Sequence, residues 1–247
     1  MKIINATWEK RNLGTDAYEI LLSNEDCINS EQVFIELSKE KYQKSYVVIK
    51  MPIMQIKMLH ELENIGFRFM ESQLCMVKQL GVYNQSEKNI LRDIDITQRE
   101  IDKNLSDWKN IVGLIDVGMF YTDRIYLDPQ FDATVSCERY KNWIMDLVDK
   151  PNYHMFVYCN ATDIIGFGVV MFDYENKKVQ TVLEGIFKKY QHLGYGKKML
   201  LLALDSYKKK GFLYQETTIS SNNIPIMKLD AFFGYKVFKE TYVLRKY

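Results

Sequence analysis

A strand, a loop with two glycines and a helix are predicted in succession between positions 178 and 210, and this succession constrains the fold most. The strand is predicted over 178–186, the loop is Gln191-His-Leu-Gly-Tyr-Gly196, and apolar side chains then recur at helical spacing. The first N–H groups of a helix have no internal acceptor, and its N-terminus favours negative charge. Because Gly194 and Gly196 leave room beside the main chain, the loop suits a diphosphate.

The same glycine pair has a simpler interpretation, which is a tight turn that binds nothing. A dinucleotide site of the Rossmann type is disfavoured, because Met199 occupies the position at which G-x-G-x-x-G needs its third glycine. The sequence also contains no Walker phosphate loop. A phosphate site of another kind and a plain turn therefore both stay open at this point.

Hydrophobic periodicity predicts a mixed α/β protein of the α+β kind. Strands over 154–159, 164–172 and 178–186 form an antiparallel meander, and helices over 108–121 and 137–148 precede it. After the glycine loop we expect a helix, a strand over 215–220, a helix over 224–233 and an extended tail. The first 75 residues show strands over 17–22, 45–50 and 67–77 with helices over 31–41 and 53–64. No repeated sequence motif is visible.

These segments predict an N-terminal α/β unit over 1–80, a polar and partly helical linker over 81–107, and a second domain over 108–247. Lys+Arg 33 against Asp+Glu 32 gives a net charge of +1, which argues against a nucleic-acid partner. The N-terminus lacks the apolar core of a signal peptide, and the longest aliphatic run is too short for a membrane span. We therefore expect a cytoplasmic protein without membrane contact, as a monomer or a homodimer.

Cysteine and histidine usage argues against a structural metal. The four cysteines lie far apart without a C-x-x-C pair, and three histidines are available. We expect reduced, mostly buried cysteines and no metal site.

The glycine loop resembles the acyl-CoA signature Q/R-x-x-G-x-G/A of the GNAT superfamily of N-acyltransferases and matches it at each fixed position. The segment from Asn223 to Tyr235 is similar to the second motif of that superfamily. The resemblance implies a mixed sheet flanked by helices, with acetyl-CoA held between two splayed strands. It assigns these residues to the cofactor: Gly185, Ile186, Gln191, Leu193, Gly194, Tyr195, Gly196, Lys197 and Asn223.

Three further segments resemble the TDP-fucosamine acetyltransferase group of this superfamily, which acetylates the amine of a nucleotide-linked deoxy sugar. They are Thr7-Trp-Glu9, the stretch from Leu62 to Glu71, and Phe120-Tyr-Thr-Asp-Arg124. The resemblance implies that the N-terminal unit is an incomplete GNAT half that contributes to the acceptor site. It also implies direct attack of the acceptor amine on the thioester.

Candidate catalytic residues follow from the same resemblance. Asp230 stands where the superfamily has a tyrosine acid, and an exposed aspartate with a reference pKa of about 3.9 is ionised at neutral pH. It serves as an acid only if burial raises its pKa, and we expect a solvated helix carboxylate instead. Glu71 is a candidate base, and the alternative for it is a surface acid on an edge strand.

Arg124 is the candidate ligand of an acceptor phosphate, since a guanidinium binds phosphate through two donors. Tyr121 is a candidate for stacking on a sugar or a base. The acceptor could instead be the amine of a protein, a polyamine or an antibiotic. A further alternative is a module that binds acyl-CoA without catalysis.

Overall fold

The computed structural model describes residues 1–92 and 95–247. Ten strands form one mixed sheet in the order β1-β2-β3-β10-β4-β9-β8-β7-β6-β5. The strands are β1 (Lys2–Asn5), β2 (Ala17–Leu21), β3 (Tyr46–Pro52), β4 (Arg68–Gln79), β5 (Thr97–Ile101), β6 (Tyr153–Cys159), β7 (Ile164–Asp173), β8 (Lys178–Ile186), β9 (Tyr214–Ser220) and β10 (Lys236–Lys246).

Helices connect the strands and cover both faces of the sheet. They are α1 (Thr7–Leu13), α2 (Asn24–Ile28), α3 (Glu31–Leu37), α4 (Glu40–Gln43), α5 (Ile56–Asn64), α6 (Gln85–Arg92), α7 (Leu105–Val112), α8 (Arg124–Leu127), α9 (Ala133–Met145), α10 (Tyr195–Lys209) and α11 (Ile224–Phe232). Among the described residues, no helix has the length and apolar composition that crossing a membrane requires.

The predicted mixed sheet flanked by helices is confirmed, and so is the meander, because β6, β7 and β8 pair antiparallel in sequence order. The predicted helix over 108–121 is wrong in its second half. α7 ends at Val112, and the chain continues through turns as far as α8. Of the cysteines, Cys27 and Cys137 are buried, Cys75 and Cys159 are partly exposed, and all four are free.

The final strand was predicted only as an extended tail, yet it lies near the middle of the sheet. β10 pairs antiparallel with β3 on one side and with β4 on the other. β4 in turn pairs antiparallel with β9. Each half of the chain therefore places its last strand against a strand of the other half, and one continuous sheet results.

The strand exchange reflects a repeat of topology that the sequence motifs did not reveal. In the first half, β1 is antiparallel to β2, β2 is parallel to β3, and α5 leads into β4. In the second half, β7 is antiparallel to β8, β8 is parallel to β9, and α11 leads into β10. The two halves are related by an approximate two-fold axis between β4 and β10.

The sheet buries apolar residues on both faces. One face packs against α2 to α5 in the first half and against α6, α10 and α11 in the second. The opposite face packs against α1, α7, α8 and α9. Side chains alternate between faces along each strand, so neighbouring residues of β6, β7 and β10 belong to different cores.

The interval 81–107, predicted as a linker, contains α6, the edge strand β5 and the start of α7. β5 pairs with β6 over Thr97–Ile101, so this part of the interval belongs to the sheet. Residues 93 and 94, which fall within the predicted linker, lie outside the described residues. The proposed unit boundaries at 80 and 108 stay predictions.

The strand exchange predicts that the two halves unfold together. Leu244 of β10 is fully buried in the core of the first half. Leu244→Ala should therefore lower the free energy of unfolding by about 2–5 kcal/mol and should shift one common transition. Denaturant unfolding followed by both fluorescence and circular dichroism would measure this.

Lys239→Ala, at an exposed position of the same strand, is the matched control and should change stability by less than about 0.5 kcal/mol. Two separate transitions, of which only one responds to Leu244→Ala, would contradict the prediction.

Candidate active site

The sheet opens between β8 and β9. These parallel strands pair only where Lys178, Val179 and Gln180 face Tyr214, Gln215 and Glu216. Directly after these pairs, the register of β8 against β7 shifts by one residue. Val170 faces Thr181 but Val169 faces Leu183, so Val182 forms a bulge. A bulge bends a strand and ends regular pairing. From Thr181 to Ile186 the edge of β8 that faces β9 therefore offers free backbone groups to an extended ligand.

The glycine loop lies at the end of this opening. Gly194 is the N-terminal cap of the 15-residue helix α10 and has a φ of 85°, a conformation that favours glycine. A Cβ on Gly194 would meet no atom within 4 Å, so the space beside it is open. The Gln191 side chain donates a hydrogen bond to the Ile186 carbonyl at 3.0 Å and fixes the loop to the end of β8.

These features fit an anionic ligand at the start of α10. The first N–H groups of the helix have no intrahelical acceptor and point into the open space. Leu193 and Lys197 are exposed, and the Lys197 ammonium lies 4.2 Å from the centre of the Phe232 ring. A pyrophosphate would thus be held by the backbone around Gly194, Tyr195 and Gly196.

Other predicted cofactor residues line the same opening. Gly185 and Ile186 form the end of β8. A Cβ on Gly185 would lie 2.6 Å from the Met119 Cε, so the turn before α8 packs directly on this glycine. Asn223 lies across the opening, where its side chain accepts a hydrogen bond from the Ile226 N–H at 3.3 Å and caps α11. Its observed contact is therefore with the helix backbone.

Asp230 is buried, and the expectation of a solvated carboxylate is wrong. Its side chain on α11 is 3 % exposed, and Oδ2 has no hydrogen-bond partner among the described residues. Burial disfavours the ionised form and raises the pKa of Asp230 to about 7. The sequence could not predict this burial, because α11 has apolar residues around its whole circumference. Its pattern therefore does not distinguish a buried face from an exposed one.

Glu184 was not predicted, although it directly precedes the predicted cofactor residue Gly185. It lies in the splayed part of β8 on the α10 face of the sheet and accepts a hydrogen bond from the Tyr158 hydroxyl at 3.4 Å. Burial and then the charge of Asp230 raise the pKa of Glu184 to about 7. The signal in the sequence was a single acid in an otherwise apolar strand end.

Glu71 is also buried, at 3 % exposure, and it lies on the central strand β4, so the alternative of a surface acid on an edge strand is wrong. It faces Val243 of β10 on the sheet face opposite to α11. Its carboxylate accepts a hydrogen bond from the Gln73 side chain at 3.1 Å. β4 continues past the end of β9 here, since Ser72 bonds to Ser221 after that strand has ended.

Arg124 begins α8 over the same face as Glu71. Burial alone would lower the pKa of its guanidinium, but Tyr46 and the carboxylates of Asp123, Glu71 and Glu9 raise it. In the described part of the chain, Arg124 has no ion pair within 4.0 Å, and its buried Nε has no hydrogen-bond partner. Its position leaves donors free for a ligand.

Of the side chains near Arg124, Arg139 is bound to a carboxylate, whereas the Tyr46 hydroxyl is not. Arg139 is bound to Glu9 by Nε at 2.8 and 3.0 Å and by NH2 at 2.8 Å. The buried Tyr46 hydroxyl has no partner among the described residues and lines the same small recess as Arg124. Tyr121 precedes α8 and is 44 % exposed.

Comparison with known proteins agrees with this geometry. Residues 116–230 match the model of the Acetyltransferase (GNAT) family. A GCN5-related N-acetyltransferase from Sphaerobacter thermophilus is similar in structure, with a TM-score of 0.63 at 13 % identity over 99 % of this chain and 75 % of that one. No curated protein sequence matches the chain.

Two more solved structures share the architecture. A functionally unknown conserved protein from Staphylococcus epidermidis ATCC 12228 has a TM-score of 0.62 at 12 % identity over 94 % of this chain and 84 % of that one. A tandem GNAT protein from the clavulanic acid biosynthesis pathway has a TM-score of 0.51 at 8 % identity over 83 % and 65 % of the two chains. The match to the GNAT family model thus lies in the second half of the chain, and the sheet has a GNAT-like fold.

The backbone of the glycine loop generates a stability prediction that needs no ligand. Gly194→Ala should lower the free energy of unfolding by about 1–2 kcal/mol, because a Cβ is disfavoured at positive φ. Gly196→Ala should keep stability or raise it by up to about 1 kcal/mol, because this glycine is helical. Its Cβ would make ordinary contacts, 3.7 Å from the Ile186 Cδ1 and 3.9 Å from the Leu229 Cδ2.

Denaturant titration of both variants beside the wild type would measure the difference. Equal destabilisation by the two substitutions would contradict the assigned loop conformation.

Proposed function

We propose that this protein is an acetyl-CoA-dependent N-acetyltransferase that acetylates the amine of a nucleotide-linked amino-deoxy sugar by direct attack. The observation that carries the proposal is the opening between β8 and β9, with the glycine loop at its end. In this arrangement acetyl-CoA binds with its pyrophosphate at the N-terminus of α10 and its pantetheine along the free edge of β8. It supplies an activated acetyl thioester.

The two faces of the sheet support separate approaches for the two reactants. Glu71 and Arg124 lie on the face covered by α8 and α9, whereas Asp230 and Glu184 lie on the face covered by α10 and α11. The acceptor amine would reach the thioester from the Glu71 side, and the CoA thiolate would leave on the Asp230 side. Glu71 is the proposed base that accepts the ammonium proton, and Asp230 is the proposed acid.

Arg124 supports an anionic acceptor. A half-buried guanidinium without an ion pair in the described chain is suited to a charge-assisted bond with a phosphate. The exposed Tyr121 beside it is the proposed stacking surface for a sugar or base. Acceptors without a phosphate, such as polyamines or lysine side chains, would leave these donors unused.

Acetyl-CoA binding should raise the thermal midpoint, because a ligand that binds only the folded state stabilises it by mass action. At 100 times the dissociation constant the gain is about 2.7 kcal/mol, and for a chain of this size this corresponds to a shift of roughly 5–10 °C. Gly194→Val should remove most of the shift, since its branched side chain would enter the open space beside Gly194 in which the pyrophosphate would bind. Differential scanning fluorimetry with acetyl-CoA would measure it.

Lys109→Val, on the exposed side of α7, is the control for the introduced β-branched side chain and should keep the full shift. A full shift in the Gly194→Val variant would reject the proposed pyrophosphate position.

The reaction is tested by release of free CoA. Nucleotide-linked amino sugars, the matching free amino sugars, lysine peptides and polyamines would be compared with a blank that lacks acceptor. We expect release with the nucleotide-linked amino sugars. Release only with peptides or polyamines would replace the acceptor class, and binding of acetyl-CoA without release from any amine would favour a binding module.

Arg124→Ala should raise the acceptor KM by about tenfold to a hundredfold, because a hydrogen bond to a charged group contributes about 1.5–3 kcal/mol. Acetyl-CoA binding should stay unchanged, since Arg124 lies on the other face of the sheet. Steady-state kinetics with both substrates varied would measure this, with the exposed Arg99→Ala as control. Equal loss for both substrates would argue against an acceptor contact.

A further inference from the structure

We propose that Gln215 closes the inner end of the opening between β8 and β9 and limits the acyl group of the cofactor to a short chain. The inference rests on the proposed acetyl transfer and names a residue that selects among acyl-CoA thioesters. Two hydrogen bonds hold the Gln215 side chain in place. Its N–H donates to the Thr181 hydroxyl at 2.5 Å, and its carbonyl oxygen accepts from the Tyr235 hydroxyl.

These bonds lie at the point where β8 and β9 part. The last backbone pair of the two strands is Gln180–Glu216, and the bulge at Val182 follows. Gln215 comes directly before Glu216, and Thr181 comes directly after Gln180. The hydrogen bond from Gln215 to Thr181 therefore crosses from β9 to β8 at the end of the paired segment, which is the inner end of the opening.

A second side-chain link crosses between the strands on the opposite face. The Lys178 ammonium donates to both carboxylate oxygens of Glu216, at 3.1 and 3.2 Å. Gln215 and Glu216 are neighbours in β9, so their side chains lie on different faces of the sheet. Gln215 faces α10 and α11, because its partner Tyr235 belongs to the core that these helices cover. The strands are thus tied together on both faces just before they separate.

Burial and hydrogen bonding fix the position of the Gln215 side chain. Gln215 is 1 % exposed, whereas Thr181 is partly exposed. A buried amide destabilises the fold unless its polar groups are bonded, and both the N–H and the carbonyl oxygen of the Gln215 side chain have partners. Movement of this side chain would break both bonds. The inner end of the opening therefore has a rigid boundary.

The topological repeat offers an internal comparison. β3 and β9 each have seven residues, and Val47 and Gln215 are the second residue of each. Phe67 and Tyr235 are also equivalent, since each follows a glycine of positive φ between a helix and the exchanged strand. Val47 and Phe67 are buried and apolar, and β2 pairs with β3 along its whole length. The hydrogen-bonded pair of Gln215 and Tyr235 thus occurs in the half that opens.

The length of the cofactor brings its acyl group to this boundary. In the proposed binding mode, the pantetheine arm runs along β8 from Ile186 toward Thr181. These two residues are about 16 Å apart along a strand, and the extended arm, with its two amide groups, covers a similar distance. The acyl group is attached to the end of the arm. Added methylene groups would therefore meet the side chains of Thr181 and Gln215.

The test measures binding without turnover. Isothermal titration calorimetry would compare CoA, acetyl-CoA, propionyl-CoA and butyryl-CoA. Wild-type protein should bind CoA and acetyl-CoA, and each further methylene should weaken binding by about tenfold or more, the scale on which a pocket discriminates one methylene. CoA is the reference ligand, since it lacks the acyl group.

Two substitutions should widen the range of accepted chains in steps. Gln215→Asn shortens the side chain by one methylene and should admit propionyl-CoA, whereas Gln215→Ala removes the amide and should also admit butyryl-CoA. Both variants should bind CoA as the wild type does. Gln180→Ala, at an exposed position beside Thr181, is the matched control and should keep the wild-type preference. Circular dichroism would check that each variant is folded, and the comparison of ligands in the wild type needs no variant.

The outcomes separate this inference from the proposed function. Equal affinity of wild-type protein for acetyl-CoA and butyryl-CoA would overturn the role of Gln215 and leave the proposed acetyl transfer standing. A folded Gln215→Asn or Gln215→Ala variant that keeps the wild-type chain-length preference would overturn it as well. Failure of wild-type protein to bind CoA and all three thioesters would reject the proposed cofactor site and, with it, this selection of the acyl chain.

Discussion

The antiparallel pairing of β4 with β10 is the interaction on which the rest of the structure depends. Lys236 to Arg245 faces Val77 to Arg68 along almost the whole length of both strands. In β10, Leu244 packs in the core covered by α2 to α5, and Val243 packs on the opposite face with Ile125 of α8. In β4, Leu74 and Met76 pack in the core covered by α6, α10 and α11. Without the other half, each half would leave the hydrogen-bonding groups of a strand unpaired at this position. The exchange therefore makes one sheet from two similar halves.

The same exchange determines what surrounds the opening. β9 is held on one side by β4 over seven residue pairs, from Gln73–Ser220 to Gln79–Tyr214, and is free to part from β8 on the other. Because β4 extends beyond the end of β9, Glu71 from the first half of the chain lies past that end, on the face covered by α8 and α9. Glu184 and Asp230 lie in the second half, on the opposite face. A cleft through the sheet thus has separate groups on its two sides.

The repeat also shows how one arrangement can serve two purposes. In the first half, β2 and β3 pair over Ala17–Leu21 and Tyr46–Lys50 without opening, and Leu62 completes an apolar core. In the second half, a bulge at Val182 separates the corresponding strands. Asp230 stands at the position equivalent to Leu62, since the N–H of Tyr235 bonds to the Asp230 carbonyl as the N–H of Phe67 bonds to that of Leu62. The first half thus has an unbroken sheet and an apolar core, whereas the second half has an opening and a buried carboxyl group, which are features of a binding site.

The sequence by itself determined the local elements: the meander, the glycine loop and the helices with strong periodicity or a glycine stop such as Gly66 and Gly211. These depend on side-chain alternation, helical spacing and positive φ, all of which are set by near neighbours. Only the tertiary structure placed β10 in the middle of the sheet and buried Glu71 and Asp230, because a strand's partners come from distant parts of the chain. It also ended α7 at Val112. The chemistry proposed for the site rests on those distant pairings, since they alone decide which carboxyl groups lose contact with water.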